Sequence, residues 1–247
     1  MKIQRYILFI IISLIPLILK SQDYCDFILK IQNYQDSVKF KQEGDFSTID
    51  SNSFTIDTYL GYFNEIRVQK NYKIGLYYFK SLIGGNPFLY AIKENTEIKN
   101  TDKMSIYRFV NKPKHRAKNH IIPDDSGKGF LQYLFFSVMG EQFALKWHSY
   151  YSEKYVICSN DKLIEVINML SDSEDFYVDL EELEKLNQIS PQILIRKNEK
   201  DFLITWIENR THSGIFRCTY QIKRSKPYPI SLISEEKLLN IGLAFIY

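Results

Sequence analysis

Four histidines occur in the chain, and His148 is the one whose surroundings suggest chemistry. A histidine acts as a general base when a carboxylate or a nucleophile lies within hydrogen-bonding distance. Asp124 and Asp125 lie on a polar stretch upstream that is able to fold over the strand predicted to carry His148. Glu141 is predicted to lie at a hairpin tip, too far along the strand to serve. His148 with Asp124 or Asp125 is therefore the candidate catalytic set, and it would suit a hydrolase.

Established catalytic motifs do not support that set. The sequence has no Gly-x-Ser-x-Gly elbow, no His-Glu-x-x-His helix and no phosphate-loop pattern. It also has no Cys-x-x-Cys pair and no Cys/His cluster at zinc spacing. We therefore expect no cofactor and no metal, and a sheet histidine bonded to a tyrosine is the simpler interpretation of His148.

The candidate binding surface is an aromatic and basic patch on one face of the predicted hairpin. Aromatic anchors with a few polar groups dominate protein interfaces, so an exposed patch of this kind would suit a protein or glycan partner. If helices cover the same face, it becomes a second core layer instead. The patch consists of Tyr133, Phe135, Lys146, His148 and Tyr150.

A second candidate surface is the segment from Lys112 to Lys128, which we call the basic segment. Its first half is rich in lysine, arginine and histidine, and its second half contains Asp124 and Asp125. Polar loops held by a rigid scaffold often carry binding sites. The alternative is a solvated connection with no ligand.

Three cysteines leave at least one free thiol if a disulfide forms. Cys158 and Cys218 both fall on apolar faces of predicted strands, which makes them a possible disulfide pair. They are equally compatible with two small buried core residues.

The element predicted to position the candidate residues is an antiparallel meander from Gly129 to Cys158. Its first two strands are joined through Gly140-Glu141, which suits a type II′ turn because glycine adopts φ > 0 at the first central position. This register places Tyr133 opposite His148 and collects most apolar side chains on the other face.

Further elements indicate an α+β fold. Apolar residues recur three or four apart from Asp23 to Phe40, as in an amphipathic helix. Ile215 to Arg224 alternates apolar and polar residues, as in a half-buried strand. We predict a mostly antiparallel twisted sheet with helices on at least one face. Residues 23–247 form one domain, mainly helical over 23–70 and sheet-rich over 71–247.

The N-terminus is typical of a secretory signal peptide over residues 1–22. A basic start precedes an apolar run from Tyr6 to Leu19, which is short for a membrane span. We expect export to the periplasm, the cell envelope or the medium, with no stable membrane span after cleavage. An uncleaved leader that anchors the chain in a membrane is the alternative.

Net charge argues against nucleic acid as a partner. The chain has 32 basic and 29 acidic residues, a net charge of +3. Removal of the leader takes away Lys2, Arg5 and Lys20 and leaves equal numbers of each sign. A chain without a basic excess lacks the general attraction to phosphate backbones.

Three functions remain open on the sequence alone. The first is an exported, non-catalytic binding or interaction protein, for which a protein is one candidate partner. The second is an exported hydrolase that uses His148 with a loop carboxylate. The third is a carrier of a hydrophobic small molecule, which requires an apolar cavity beneath the sheet.

Overall fold

The structure is a computed structural model that describes residues 23–43, 46–49, 52–81, 84–98, 102–143, 146–147, 153–172 and 176–243. The predicted leader, residues 1–22, lies outside these ranges, as do His148 and Tyr150. Within the described ranges, no helix combines the length and the apolar character needed to cross a membrane.

Helices and groups of consecutive strands are interspersed along the described part of the chain. The helices are residues 23–37 (α1), Ile56–Gly61 (α2), Lys103–Val110 (α3), Gly127–Met139 (α4), Asn160–Ser171 (α5) and Leu180–Leu186 (α6). The first strands are Phe40–Glu43 (β1), Phe46–Ile49 (β2), Ile66–Val68 (β3), Tyr72–Ser81 (β4), Gly84–Lys93 (β5), Ile121–Pro123 (β6) and Lys146–Trp147 (β7). The later strands are Lys154–Ile157 (β8), Phe176–Val178 (β9), Leu194–Lys197 (β10), Asp201–Arg210 (β11), Gly214–Lys223 (β12) and Ile230–Leu243 (β13).

The largest sheet has six strands in the order β10-β11-β12-β13-β9, with β8 paired to β11 beside β10. A three-stranded sheet, β4-β5-β7, and two two-stranded sheets, β1-β2 and β3-β6, complete the described strands. Every pairing among them is antiparallel. The predicted α+β class with antiparallel sheet and packed helices is confirmed.

Helix α4 occupies the centre of the molecule. Phe130 stacks on Phe202 of β11 with ring centroids 4.4 Å apart, so one side of α4 packs against the main sheet. Phe135 meets Phe27 of α1 on another side, with 6.2 Å between ring centroids. A helix that is apolar on all sides is stable only when protein surrounds it.

The predicted meander is wrong in its first strand, because residues 127–139 form α4. Aromatic and β-branched residues favour strands, but burial on every side overrides that preference. Gly140 caps the helix at φ −67° and does not adopt the positive φ of a type II′ turn. Glycine is required at position 140 because the backbone there closely approaches the Phe136 carbonyl, so that a Cβ would lie 2.2 Å from the carbonyl oxygen.

Side-chain hydrogen bonds satisfy both ends of α4. Ser126 caps the N-terminus by accepting a hydrogen bond from the Gly129 N–H at 2.9 Å. At the C-terminus, Gln35 Nε2 donates to the Met139 carbonyl at 2.8 Å, and Tyr59 Oη donates to the Gly140 carbonyl at 2.9 Å. These last carbonyls have no partner within the helix, so the long-range bonds fix α4 against α1 and α2.

Helix α1 is fastened to strand β8. A disulfide joins Cys25 to Cys158, which directly follows β8, with a Cα–Cα distance of 5.4 Å. About two turns further along α1, Gln32 accepts from the Val156 N–H at 3.0 Å and donates to the Val156 carbonyl at 3.5 Å. The buried Gln32 amide therefore replaces the neighbouring strand that β8 lacks on this side.

A second glutamine extends the same edge. Gln142 accepts from the Lys154 N–H at 2.6 Å and donates to the Lys154 carbonyl at 2.8 Å. Residues 154 and 156 point their backbone groups to the same side of a strand, so Gln142 and Gln32 together close the edge of β8. Unpaired buried backbone groups would otherwise cost free energy.

The predicted pairing of Cys158 with Cys218 is wrong, because Cys158 is bonded to Cys25 and Cys218 is a free, buried thiol. Strand β11 separates β8 from β12, which carries Cys218. Two strand spacings amount to about 10 Å. A disulfide requires Cα atoms within about 7 Å of each other.

We expect peptide mapping without reduction to recover a Cys25–Cys158 linked peptide, with Cys218 alkylated only after unfolding. Removal of the disulfide by Cys25→Ala with Cys158→Ala should lower the free energy of unfolding by about 2–5 kcal/mol in denaturant titration, because the bond constrains a long loop in the unfolded chain. A Cys158–Cys218 linked peptide would contradict the structure.

Replacing Gln32 tests the side-chain closure of β8. Gln32→Ala should destabilise the fold by about 2 kcal/mol or more, because two buried backbone groups of Val156 lose their partners. Asn33→Ala, at the adjacent exposed position of α1, should change the free energy of unfolding by less than about 0.5 kcal/mol. Equal effects of the two substitutions in denaturant titration would show that the Gln32 bonds are not significant.

Candidate functional site

The two carboxylates predicted to assist His148 are engaged elsewhere. Asp124 Oδ1 accepts hydrogen bonds from the Ser126 N–H at 3.1 Å and from the Ser126 hydroxyl at 2.6 Å, so it helps to cap α4. Asp125 accepts from Arg224 Nε at 2.9 Å and from Lys197 Nζ at 3.1 Å. Both hydrogen bonds lower the pKa of Asp125, the one from Arg224 more than the one from Lys197. Both acids therefore have structural roles, while His148 lies outside the described residues.

The predicted aromatic and basic patch is wrong for the residues that the structure describes. Tyr133 and Phe135 lie on α4 and are buried, with 4% and 0% of their surfaces exposed. Residues two apart on a helix point about 200° apart, so these rings do not share a face. The backbone of Lys146 belongs to β7 and pairs with Gly85, but its side chain is outside the described part, as are His148 and Tyr150.

The basic segment is a folded platform. Its two histidines bind backbone carbonyls nearby: His115 Nδ1 is 2.8 Å from the Phe109 oxygen and His120 Nε2 is 2.8 Å from the Lys114 oxygen. The His120 ring also stacks on Tyr72 with 4.1 Å between ring centroids. Within the segment, Pro113–His115 and Ala117–His120 form 3-10 turns. The histidines therefore hold the segment in shape.

A cleft of about 540 Å³ opens between this platform, β5 and the C-terminal end of α4. We call it the basic cleft. Pockets for small molecules typically measure about 300–1,000 Å³, so its size suits a small ligand. Its lining residues are Leu89, Asn111, Pro113, Arg116, Lys118, Asn119, Phe136, Ser137 and Glu141.

Charges of both signs meet in the basic cleft. Arg116 Nη1 lies 3.6 Å from Glu141 Oε2, and both side chains are more than a third exposed. Glu141 Oε1 accepts a hydrogen bond from the Leu89 N–H at 2.8 Å, which fixes the carboxylate in place. Burial raises the pKa of Glu141, although that hydrogen bond and the charges of Arg116 and Lys118 oppose the rise.

Sequence reasoning placed Glu141 at a hairpin tip and gave it no role. The structure brings it to the basic segment because α4 ends at Met139 and delivers the next residues to β5. No local pattern in the sequence indicates this contact, since Arg116 and Glu141 are 25 positions apart and belong to different elements. The basic segment itself was a predicted candidate surface.

The densest ionisable cluster lies elsewhere, around Glu208 on β11, and it was not predicted. The fully buried carboxylate accepts from Trp206 Nε1 at 2.9 Å and from Arg210 Nε at 2.7 Å. Lys154 Nζ lies 3.6 Å away, and Tyr220 Oη donates to the carboxylate at 3.1 Å. One signal in the sequence could have indicated this cluster. Inward and outward positions alternate along β11, and Glu208 occupies an inward position like those of Phe202, Ile204 and Trp206.

The Glu208 cluster suits a structural role better than a reactive one. Burial alone would raise the pKa of Glu208, but Lys154, Arg210 and Trp206 outweigh burial and lower it. The neighbouring Cys218 is fully buried, and burial, followed by the charge of Glu208, raises the pKa of its thiol to about 12. A protonated, inaccessible thiol is a poor nucleophile.

Among the described residues, no group of three or more His, Cys, Asp or Glu side chains is placed to hold a metal ion. A smaller cleft of about 320 Å³ lies beside α5, and its lining includes no ionisable side chain. The basic cleft is therefore the better candidate for specific recognition.

No protein-family model, curated protein or solved structure matches this chain. The function must consequently be argued from the geometry of the clefts and charges.

Removing the buried charge tests the structural role of the Glu208 cluster. Glu208→Gln should lower the free energy of unfolding by about 3–5 kcal/mol, because Arg210 and Lys154 lose their buried counter-charge. Glu236→Gln removes the partner of Arg217 in a more exposed pair and should cost less than about 1 kcal/mol. Denaturant titration measures both, and losses of similar size would contradict the assignment.

Proposed function

We propose that this chain is an exported, non-catalytic binding protein that takes a small anionic ligand in the basic cleft. The observation that carries the proposal is the convergence of Arg116 and Lys118 on a ligand-sized cleft with an ordered wall. Arginine and lysine bind carboxylates and phosphates through charge-assisted hydrogen bonds. Their position on a platform rather than on a free loop reduces the entropy lost on binding.

The guanidinium of Arg116 is held ready for a ligand. It lies over the Phe88 ring, 5.4 Å from the centroid, while its backbone forms an isolated bridge with Tyr90. Stacking on a ring leaves the edge of a guanidinium available for planar, two-point recognition of an anion. Asn111 and Lys118 add polar groups to the same lining, and Pro113 adds exposed apolar surface.

The other two functions receive less support. The hydrolase requires Asp124 or Asp125 beside His148, and both acids already bind other groups in the described part of the chain. The hydrophobic carrier requires an apolar chamber, whereas the larger described cleft is lined by charged and amide side chains. A protein partner is compatible with the basic cleft if it presents an acidic group there.

Export is part of the proposal and rests on two observations. Residues 1–22 have the composition of a signal peptide, with Lys2 and Arg5 before an apolar run. The Cys25–Cys158 disulfide supports an oxidising compartment, because such bonds persist mainly outside the cytosol.

Isothermal titration with inorganic phosphate and with small mono- and dicarboxylates tests the binding role. Arg116→Ala should weaken any anion that binds by about tenfold or more, because a charge-assisted hydrogen bond is lost. Lys118→Ala should weaken the same anion in the same direction. Thermal unfolding of each variant checks that the fold is retained.

Lys114→Ala is the matched control. Lys114 is exposed on the same segment and does not line the cleft, so its loss removes the same charge as Lys118→Ala without removing a cleft group. The affinity of this variant should stay within about twofold of that of the original protein, because an exposed charge that does not contact the ligand acts only through solvent, where it is screened. Equal weakening by Lys114→Ala and Lys118→Ala would indicate a general charge effect and overturn the proposed site.

A further inference from the structure

We propose that the ligand of the basic cleft is an amino-acid-like zwitterion, whose acid group binds Arg116 and Lys118 and whose ammonium group binds Glu141. This inference rests on the proposed function and deepens it. It follows from the presence of both charge signs within one small cleft.

The spacing of the two charged walls favours a ligand with both signs. Arg116 Nη1 and Glu141 Oε2 are 3.6 Å apart, so an anion that contacts Arg116 lies close to the carboxylate. An anion without a cationic group binds Arg116 and Lys118 against the repulsion of Glu141, and a purely cationic ligand would be repelled by Arg116 and Lys118. A ligand whose acid and ammonium groups are one carbon apart meets each wall with the opposite charge.

Glu141 is held in a position to accept an ammonium group. The Leu89 N–H occupies Oε1, while Oε2 faces Arg116 at a distance longer than a good hydrogen bond. Burial raises the pKa of this carboxyl, which indicates that the present cations do not fully compensate the charge. An additional donor from a ligand would supply the missing compensation.

The rest of the lining suits the carbon skeleton and polar substituents of such a ligand. Pro113 provides exposed apolar surface, and Asn111 provides an amide that both donates and accepts. Asn119 already uses Nδ2 to bind the Pro113 carbonyl at 2.9 Å, so its amide serves the wall. Glu208, another acid with a fixed position, is not available to a ligand, because it is fully buried and its hydrogen-bonding sites are occupied by its own partners.

Matched pairs of probes that differ by one amino group test the inference on the purified protein. The pairs are L-aspartate with succinate, L-glutamate with glutarate, and L-phenylalanine with 3-phenylpropionate, each titrated calorimetrically at pH 7. At least one amino member should bind about tenfold or more tightly than its desamino partner, because one charge-assisted hydrogen bond is added. The binding should also depend on Arg116.

Two variants separate the roles of the walls. Glu141→Gln keeps an oxygen to accept from the Leu89 N–H and removes the charge, so it should abolish the preference for the amino member. Lys118→Gln should weaken both members of a pair and leave their affinity ratio unchanged. Thermal unfolding confirms that each variant is folded. If Glu141→Gln does not fold, the ratio of the affinities for the amino and desamino members, measured in Lys118→Gln and in the original protein, still tests the preference for a zwitterion.

The outcomes distinguish the inference from the proposed function. Arg116-dependent binding of the desamino acids or of inorganic phosphate, with no gain from the amino group, supports the anion site and overturns the zwitterion. A preference for the amino member that survives Glu141→Gln overturns the role of Glu141. Failure of every probe to bind in an Arg116-dependent manner overturns both proposals.

Discussion

Burial of α4 on all sides is the constraint on which the rest of the structure depends. A 13-residue helix with apolar side chains around its whole circumference needs a sheet, a helix and a connecting segment to cover it. Phe202, Phe27 and Phe63 supply these three contacts with Phe130, Phe135 and Phe136. Each fully buried Phe or Leu contributes about 1.5–3 kcal/mol, so the packing around α4 contributes substantially to the free energy of folding. The position of α4 also decides where Glu141 and the basic cleft lie.

Hydrogen bonds from polar side chains at the ends of the buried elements make this packing specific. Gln32 and Gln142 satisfy the free edge of β8, and Gln35 satisfies the end of α4. Amide side chains suit this task because each carries a donor and an acceptor, as a backbone peptide does. The Cys25–Cys158 disulfide joins the same two elements and holds α1 against the end of β8 covalently. Apolar packing supplies the stabilising free energy here. The hydrogen bonds of the amide side chains fix how α1, β8 and α4 lie against one another.

Two carboxylates show how a structural charge differs from a candidate ligand contact. The difference lies in how deeply each carboxylate is buried and in how far neighbouring donors and cations compensate its charge. Glu208 is fully enclosed, accepts hydrogen bonds from the Trp206 indole, the Arg210 guanidinium and the Tyr220 hydroxyl, and its pKa is lowered despite burial. Glu141 is partly exposed, has one backbone donor and a loosely placed arginine, and burial raises its pKa. A charge whose compensation is incomplete and which faces a cleft gains most from a ligand of opposite sign. For this reason Glu141, and not Glu208, belongs to the candidate site in the basic cleft.

The sequence by itself determined the elements whose periodicity is strong. The three- and four-residue spacing after Asp23 predicted α1, and the alternation after Gly214 predicted β12, because each element has one buried and one exposed face. Tertiary structure decided the identity of α4, since a segment buried all round has no periodicity and its aromatic residues favour a strand. It also decided the disulfide partner of Cys158 and the meeting of Arg116 with Glu141. These contacts join residues far apart in the chain, and only packing around α4 brings them within bonding distance.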